Sequence, residues 1–113
     1  MALTFVNDSA TIGTSEYFLG SDSTTKVDQT DDCILQVWLD FSALTSGDQY
    51  RVRVYEKVNA GTQRQAISGA IVTGVQSELF VLPSLIVGDG WEVSVTKLTG
   101  TDRSIGWSLR KAT

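Results

Sequence analysis

The chain has 113 residues, of which 42% are hydrophobic and 19% charged, with ten Gly, one Pro, one Cys and no His. A chain of this length buries roughly 65% of the surface it exposes when unfolded, so a single core is enough, and the apolar content excludes a disordered or fibrous chain. The net charge of −4 argues against a nucleic-acid partner, and no apolar run reaches the roughly 18 residues that a membrane helix requires.

The first thirty residues are the least regular. Met1 to Asp8 has neither the cationic start nor the long apolar stretch of a secretory leader. Thr11 and Ile12 fit a short strand, Tyr17-Phe18-Leu19 is an apolar knot, and Gly20 to Thr25 reads as a loop. Residues 1–30 are therefore expected to be an irregular arm with weak strands, leading into one β domain over residues 31–113, the whole forming one compact unit. Beyond the arm, strands are expected near 33–41, 49–58, 64–73, 78–82, 84–87, 91–98 and 104–110. Gly- and Asx-rich separators such as Thr45-Ser46-Gly47-Asp48 and Asn59-Ala60-Gly61-Thr62 punctuate them.

Period-two patterning assigns the core. Cys33, Leu35, Val37, Leu39 and Phe41 share one face of the first long strand, and Tyr50, Val52 and Val54 share one face of the next. The pattern returns at Trp91, Val93 and Val95, then at Ile105, Trp107 and Leu109. Short strands without a convincing helical stretch point to an all-β, antiparallel β-sandwich, either jelly-roll or immunoglobulin-like. The stretch from Leu79 to Val87 is apolar on both faces but contains Pro83, which disfavours an uninterrupted central strand and favours cover by another subunit.

Candidate chemistry is sparse. Without histidine the chain lacks the commonest general base and metal ligand, and no enzyme activity, metal or cofactor is expected. Asp28, Asp31 and Asp32, with Asp22 nearby, read as a solvated loop whose spacing does not match an EF-hand. Gly88-Asp89-Gly90 reads as a turn, and the lone Cys33 as a core thiol. Trp38 is the one tryptophan on a mixed face, and with Tyr55 it would form the aromatic platform of a carbohydrate-binding module. Arg51, Arg53, Tyr55 and Lys57 line the outer face of their strand as a basic, aromatic stripe. Residues 1–50 carry eight acids and one base, whereas residues 51–113 carry five acids and eight bases. The two signs either neutralise one another inside the fold or join copies in a ring.

Two stretches, Asp48-Gln49-Tyr50-Arg51-Val52-Arg53-Val54-Tyr55-Glu56-Lys57 and Gly100-Thr101-Asp102-Arg103-Ser104-Ile105-Gly106-Trp107-Ser108-Leu109-Arg110-Lys111, resemble small virion proteins of tailed bacteriophages, in particular capsid decoration (cement) proteins. The resemblance implies a β-sandwich made in the host cytoplasm and mounted on the capsid exterior, commonly as a homotrimer, where it clamps adjacent major capsid subunits. A tail, baseplate or head-tail connector subunit is the neighbouring alternative. On this reading Phe5, Tyr17, Phe18 and Leu19 of the arm, together with Phe80 and Leu82, contact the shell or other copies. Trp38 and Tyr55 join them, while Arg51, Arg53 and Lys57 meet acids on a partner. Deleting residues 1–20 is then expected to leave a folded domain that no longer binds capsids.

Overall fold

The computed structural model describes residues 1–113, apart from the side chains of residues 67 and 68. Eight strands follow one another: β1 (Leu3–Ile12), β2 (Tyr17–Phe18), β3 (Cys33–Asp40), β4 (Gln49–Glu56), β5 (Arg64–Thr73), β6 (Phe80–Val87), β7 (Glu92–Thr99) and β8 (Arg103–Ala112). They make two antiparallel four-stranded sheets, sheet A in the order β1-β8-β3-β6 and sheet B in the order β2-β7-β4-β5. First pairs with last, second with seventh, third with sixth and fourth with fifth. This is a long antiparallel ribbon folded in half and rolled up, so of the two topologies left open by the sequence the chain adopts the jelly roll.

The alternation read from the sequence places the core as expected. Leu35, Val37 and Leu39 of β3, Tyr50, Val52 and Val54 of β4, Val93 and Val95 of β7, and Ile105, Trp107 and Leu109 of β8 are all buried between the sheets, with Trp91 and Cys33. The segment 79–87 is a single edge strand, β6, rather than two short ones. Its Pro83 lies where the β3–β6 register slips between Leu35 and Val37, at an edge and a bulge where a missing N–H is tolerated.

The N-terminal arm is the main correction. Residues 3–12 form a ten-residue strand paired with β8 in unbroken register from Leu3↔Ala112 to Ile12↔Arg103. The accessible surface, 6002 Å² for 12.3 kDa, matches the about 6,100 Å² that size scaling gives for a compact monomer, so no arm projects. Ile12, Phe18 and Leu19 are buried. Removing residues 1–20 would therefore take both β1 and β2 with the buried Ile12, Phe18 and Leu19, so the truncated chain is expected to lose the fold rather than leave a folded remainder.

A polar lock holds one end of the roll. The Tyr50 hydroxyl sits between the carbonyls of Ile12 and Thr101, at 3.1 and 2.9 Å, and accepts the Arg103 N–H at 2.8 Å. Beside it the carboxylate of Asp48 accepts the N–H groups of Thr45 and Thr101 and pairs with Arg103 Nε at 2.8 Å. Those backbone donors, helped by the guanidinium, hold the Asp48 carboxyl down at about 2.

Two outcomes follow for stability. Tyr50→Phe leaves the Arg103 N–H without its acceptor and is expected to lower unfolding free energy by about 1–3 kcal/mol in urea titration. A carboxyl depressed below its ordinary 3.8 stabilises fully above that pH and loses its contribution as pH falls toward 2. The melting-temperature gap between wild type and Asp48→Asn should accordingly be widest above pH 4 and close on acidification, and a gap that stays constant down to pH 2 would contradict the lock.

Candidate interaction face

The two outer faces of the sandwich differ in kind. On sheet B the outer row of β4 carries Arg51, Arg53 and Tyr55, followed by Lys57 just past the strand end, as the alternation predicts, but the chain covers much of it. The connection between β2 and β3 crosses this face as a strap. Leu19 N–H donates to the Val93 carbonyl, and Gln29 and Trp91 exchange both backbone bonds. Tyr55, placed on the surface by its strand phase, is only 8% exposed, packed at 6.1 Å against Phe18 with Lys26 over its ring. Its hydroxyl donates to Glu16 Oε2, as does that of Ser94, and Arg53 lies 3.6 Å from the other carboxylate oxygen. Lys57 pairs with Asp28, and the stem of Arg51 lies across Gly69, where any Cβ would collide with it.

The charge asymmetry is thus resolved inside the molecule. Four of the five ion pairs among the described residues join an acid from the first half to a base from the second: Glu16–Arg53, Asp28–Lys57, Asp48–Arg103 and Asp31–Lys111. Arg53 and Lys57 find their acids within the chain. Asp28 and Asp31, expected to be solvated loop residues, are tied down by these pairs.

Under the strap lies Glu92, wholly buried although it points away from the hydrophobic core. Its oxygens accept the N–H groups of Gly20 and Ser21 at 2.7 and 3.1 Å, its neighbour Val93 N–H at 3.0 Å and the Gln29 amide at 3.4 Å. Gly20 is required there, because a Cβ would sit 2.5 Å from a Glu92 oxygen. Burial pushes the Glu92 carboxyl up against the pull of these donors.

The outer face of sheet A is open. In register along it stand Leu3 and Phe5 of β1, Ala112, Arg110 and Ser108 of β8, Ile34, Gln36 and Trp38 of β3, and Val81, Ser84 and Ile86 of β6. Ile86 is 88% exposed, Leu3 63%, Phe5 52% and Ile34 44%. A contiguous apolar surface that no element of the chain covers marks a contact site. Arg110 lies across its middle, with its guanidinium 5.0 Å from the Phe5 ring and 4.3 Å from that of Trp38.

This face is bordered by a bare strand edge. β6, at the other side of sheet A, carries Pro83 and a bulge, and β5, at the edge of sheet B, has two register shifts; both devices discourage edge pairing. β1 has no proline, no lysine and no irregularity, and Asp8 is its one charge. Apart from the Ser9 N–H, which donates to the Asp8 carboxylate at 2.8 Å, its outward backbone groups can accept another strand.

Of the contact residues expected from the sequence, Phe5 and Trp38 belong to this face. Tyr17 and Leu19 turn toward the core, Tyr17 against Trp107 at 5.6 Å with its hydroxyl on Asp22, and burial together with that hydrogen bond raises it to about 12; Phe18 faces the outer side of sheet B, buried against Tyr55. Phe80 and Leu82 are half-buried against the core, Phe80 edge-on to Phe41. Trp38 and Tyr55 stand on opposite outer faces, so they form no common sugar platform. Ile86 falls in the 79–87 stretch expected to be covered by another subunit, whereas Leu3, Ile34 and Arg110 were not expected there; Ile34, apolar in the outward phase of β3, was the available signal.

No family model matches the chain, and neither a curated protein nor a solved structure matches it.

Two measurements check this account of the faces. Carbon-13 carboxyl titration should find Glu92 protonating above its ordinary 4.5; because the folded form then takes up the proton first, this group adds stability as pH falls through its raised value, opposite in sign to Asp48. Ile86→Ser and Leu3→Ser, which remove apolar groups already in water, should change unfolding free energy by less than about 0.5 kcal/mol. A loss of several kcal/mol at either site would mean that the face is covered from within.

Proposed function

We propose that this chain is a structural virion protein of a tailed bacteriophage, a decoration or cement protein that sits on the capsid exterior as a homotrimer and clamps adjacent major capsid subunits. The observation that carries the reading is the open outer face of sheet A, apolar and bordered by the unguarded β1 edge, on a body that joins bases of its second half to acids of its first through internal ion pairs. Such a surface favours lasting contact with another protein over turnover of a small molecule, because its grooves are shallow and its polar groups do not converge. The likeness of residues 48–57 and 100–111 to phage decoration proteins supplies the identity of the assembly. The jelly roll recurs in viral shells and also in lectins and cupins, so it supports the reading by analogy alone.

The clamp works through rigidity. Two sheets locked at one end by Tyr50 and Asp48, and strapped across sheet B through Glu92, present sheet A as a preformed surface, so little ordering entropy is lost on docking. The deciding experiment measures copy number of the chain in purified particles and its sedimentation mass in solution. Stoichiometric presence on heads, a three-copy mass and loss of head binding in a Leu3→Ser, Ile86→Ser double variant are expected. A ring of another order located at the tail would assign the chain to a tail, baseplate or connector instead. A monomer absent from every particle would end the structural reading altogether.

A further inference from the structure

Arg110 is held in place and left unsatisfied. Phe5 and Trp38 flank its guanidinium and Ser108 Oγ accepts its Nε–H at 3.2 Å, yet both Nη groups lack a hydrogen bond among the described residues. Among the described residues five of the nine bases form ion pairs, and Arg110 is not one of them. A shallow groove of about 270 Å³ runs from it toward Leu3, Ile34 and Ala112, and a second of about 220 Å³ passes Trp38 toward Asp40 and Leu79. Among the described residues two side-chain carboxylates stand in the outward phase of β3, Asp32 beside Ile86 at the apolar end and Asp40 at the other; Asp40 is the one on the Trp38 side. It lies four residues along β3 from Gln36, the partner of Arg110, hence about 13 Å away along the strands, where it accepts the Ser42 N–H.

Two simple two-fold arrangements of a second copy leave this face incomplete. An axis running along the strands sets Leu3, Ile34, Ile86 and Ala112 against the same apolar end of the copy. It also brings the two Arg110 guanidiniums within about 11 Å of each other, given sheets about 10 Å apart and strands about 4.8 Å apart, in a contact that excludes water. An axis across the strands carries Arg110 toward the Asp40 of the copy, but the apolar end then lands on Ser9, Ser104 and Gly106. The face has an apolar end and a lone cation, and its complement has an apolar patch and a lone anion.

We propose that the outer face of sheet A docks a different protein, which lays an apolar segment over Leu3, Ile34, Ile86 and Ala112 and delivers an Asp or Glu carboxylate to Arg110. This deepens the assembly reading above and rests on it. A guanidinium already stacked between two rings has little freedom left to lose, and its two Nη groups match a carboxylate in two parallel hydrogen bonds. Arg and Trp at the centre of an apolar patch are the residue types that dominate binding energy at protein interfaces. An extended segment also gains backbone pairs along β1, whose open edge starts beside Phe5.

The test selects a displayed library of random 12-residue peptides against the full chain. The expected winners carry one Asp or Glu among apolar residues and shift the resonances of Leu3, Ile34 and Ile86. Arg110→Gln should weaken the selected peptide by about ten-fold or more, and replacing its acid by the amide should weaken it equally, with no further loss when both changes are combined. Ile86→Ser, at a site without a folding role, should weaken it as well. Winners without a carboxylate, or binders indifferent to Arg110→Gln and Ile86→Ser, would overturn the proposal. So would a drop in oligomer mass on Ile86→Ser, which would make a second copy the occupant. Capsid binding that survives both substitutions would refute this chemistry and leave the virion reading standing, whereas particles lacking the chain would do the reverse.

Discussion

Ten consecutive backbone pairs between β1 and β8 bring the two ends of the polypeptide side by side, and the outer face of sheet A exists because of them. Phe5 and Arg110 are neighbours only through that ladder, as are Leu3 and Ala112. The ladder draws little on side-chain burial, for most of β1 is exposed on both faces. Its stability comes from hydrogen bonds and from anchorage at Ile12, where the strand enters the core beside the Tyr50 lock.

The same arrangement explains why this face stays open. In a jelly roll each sheet has one side turned to the other sheet and one side turned outward, and outward sides are commonly polar. Here sheet B follows the rule by an unusual route, burying a glutamate under a strap contributed by residues 19–32, whose Asp28 pairs with Lys57. Sheet A has no such cover. None of the acids that form ion pairs among the described residues reaches Arg110.

Where the amino-acid pattern spoke clearly, it did so through burial. Val52 and Val54 alternate with Arg51 and Arg53 because one side of β4 meets the core, and Trp107 follows Ile105 for the same reason. That signal is blind to β1, whose run of Leu3, Thr4, Phe5 and Val6 shows no alternation because neither side is buried over its first half. It also misplaced Tyr55, whose outward phase was right and whose exposure was not, since cover came from Phe18 nearly forty residues earlier in the chain. Pairing partners set by backbone, and lids set by loops, leave no periodic trace in the residues they contact. The candidate face was half legible: Trp38 was visible as a tryptophan on a mixed strand face and Phe5 as an aromatic of the N-terminal stretch, but their meeting at Arg110 required the register of three strands.

Pairing of first strand with last also fixes an order of events. β1 leaves the ribosome first and finds no partner until β8 has been made, roughly ninety residues later. Throughout that interval an apolar, unguarded strand is in solution, and the contacts that would hide it are the most distant in the molecule. Topologies dominated by such separations fold slowly. Closure of the jelly roll therefore waits for its most distant strand, and until β8 arrives the chain passes through a window in which aggregation competes with folding.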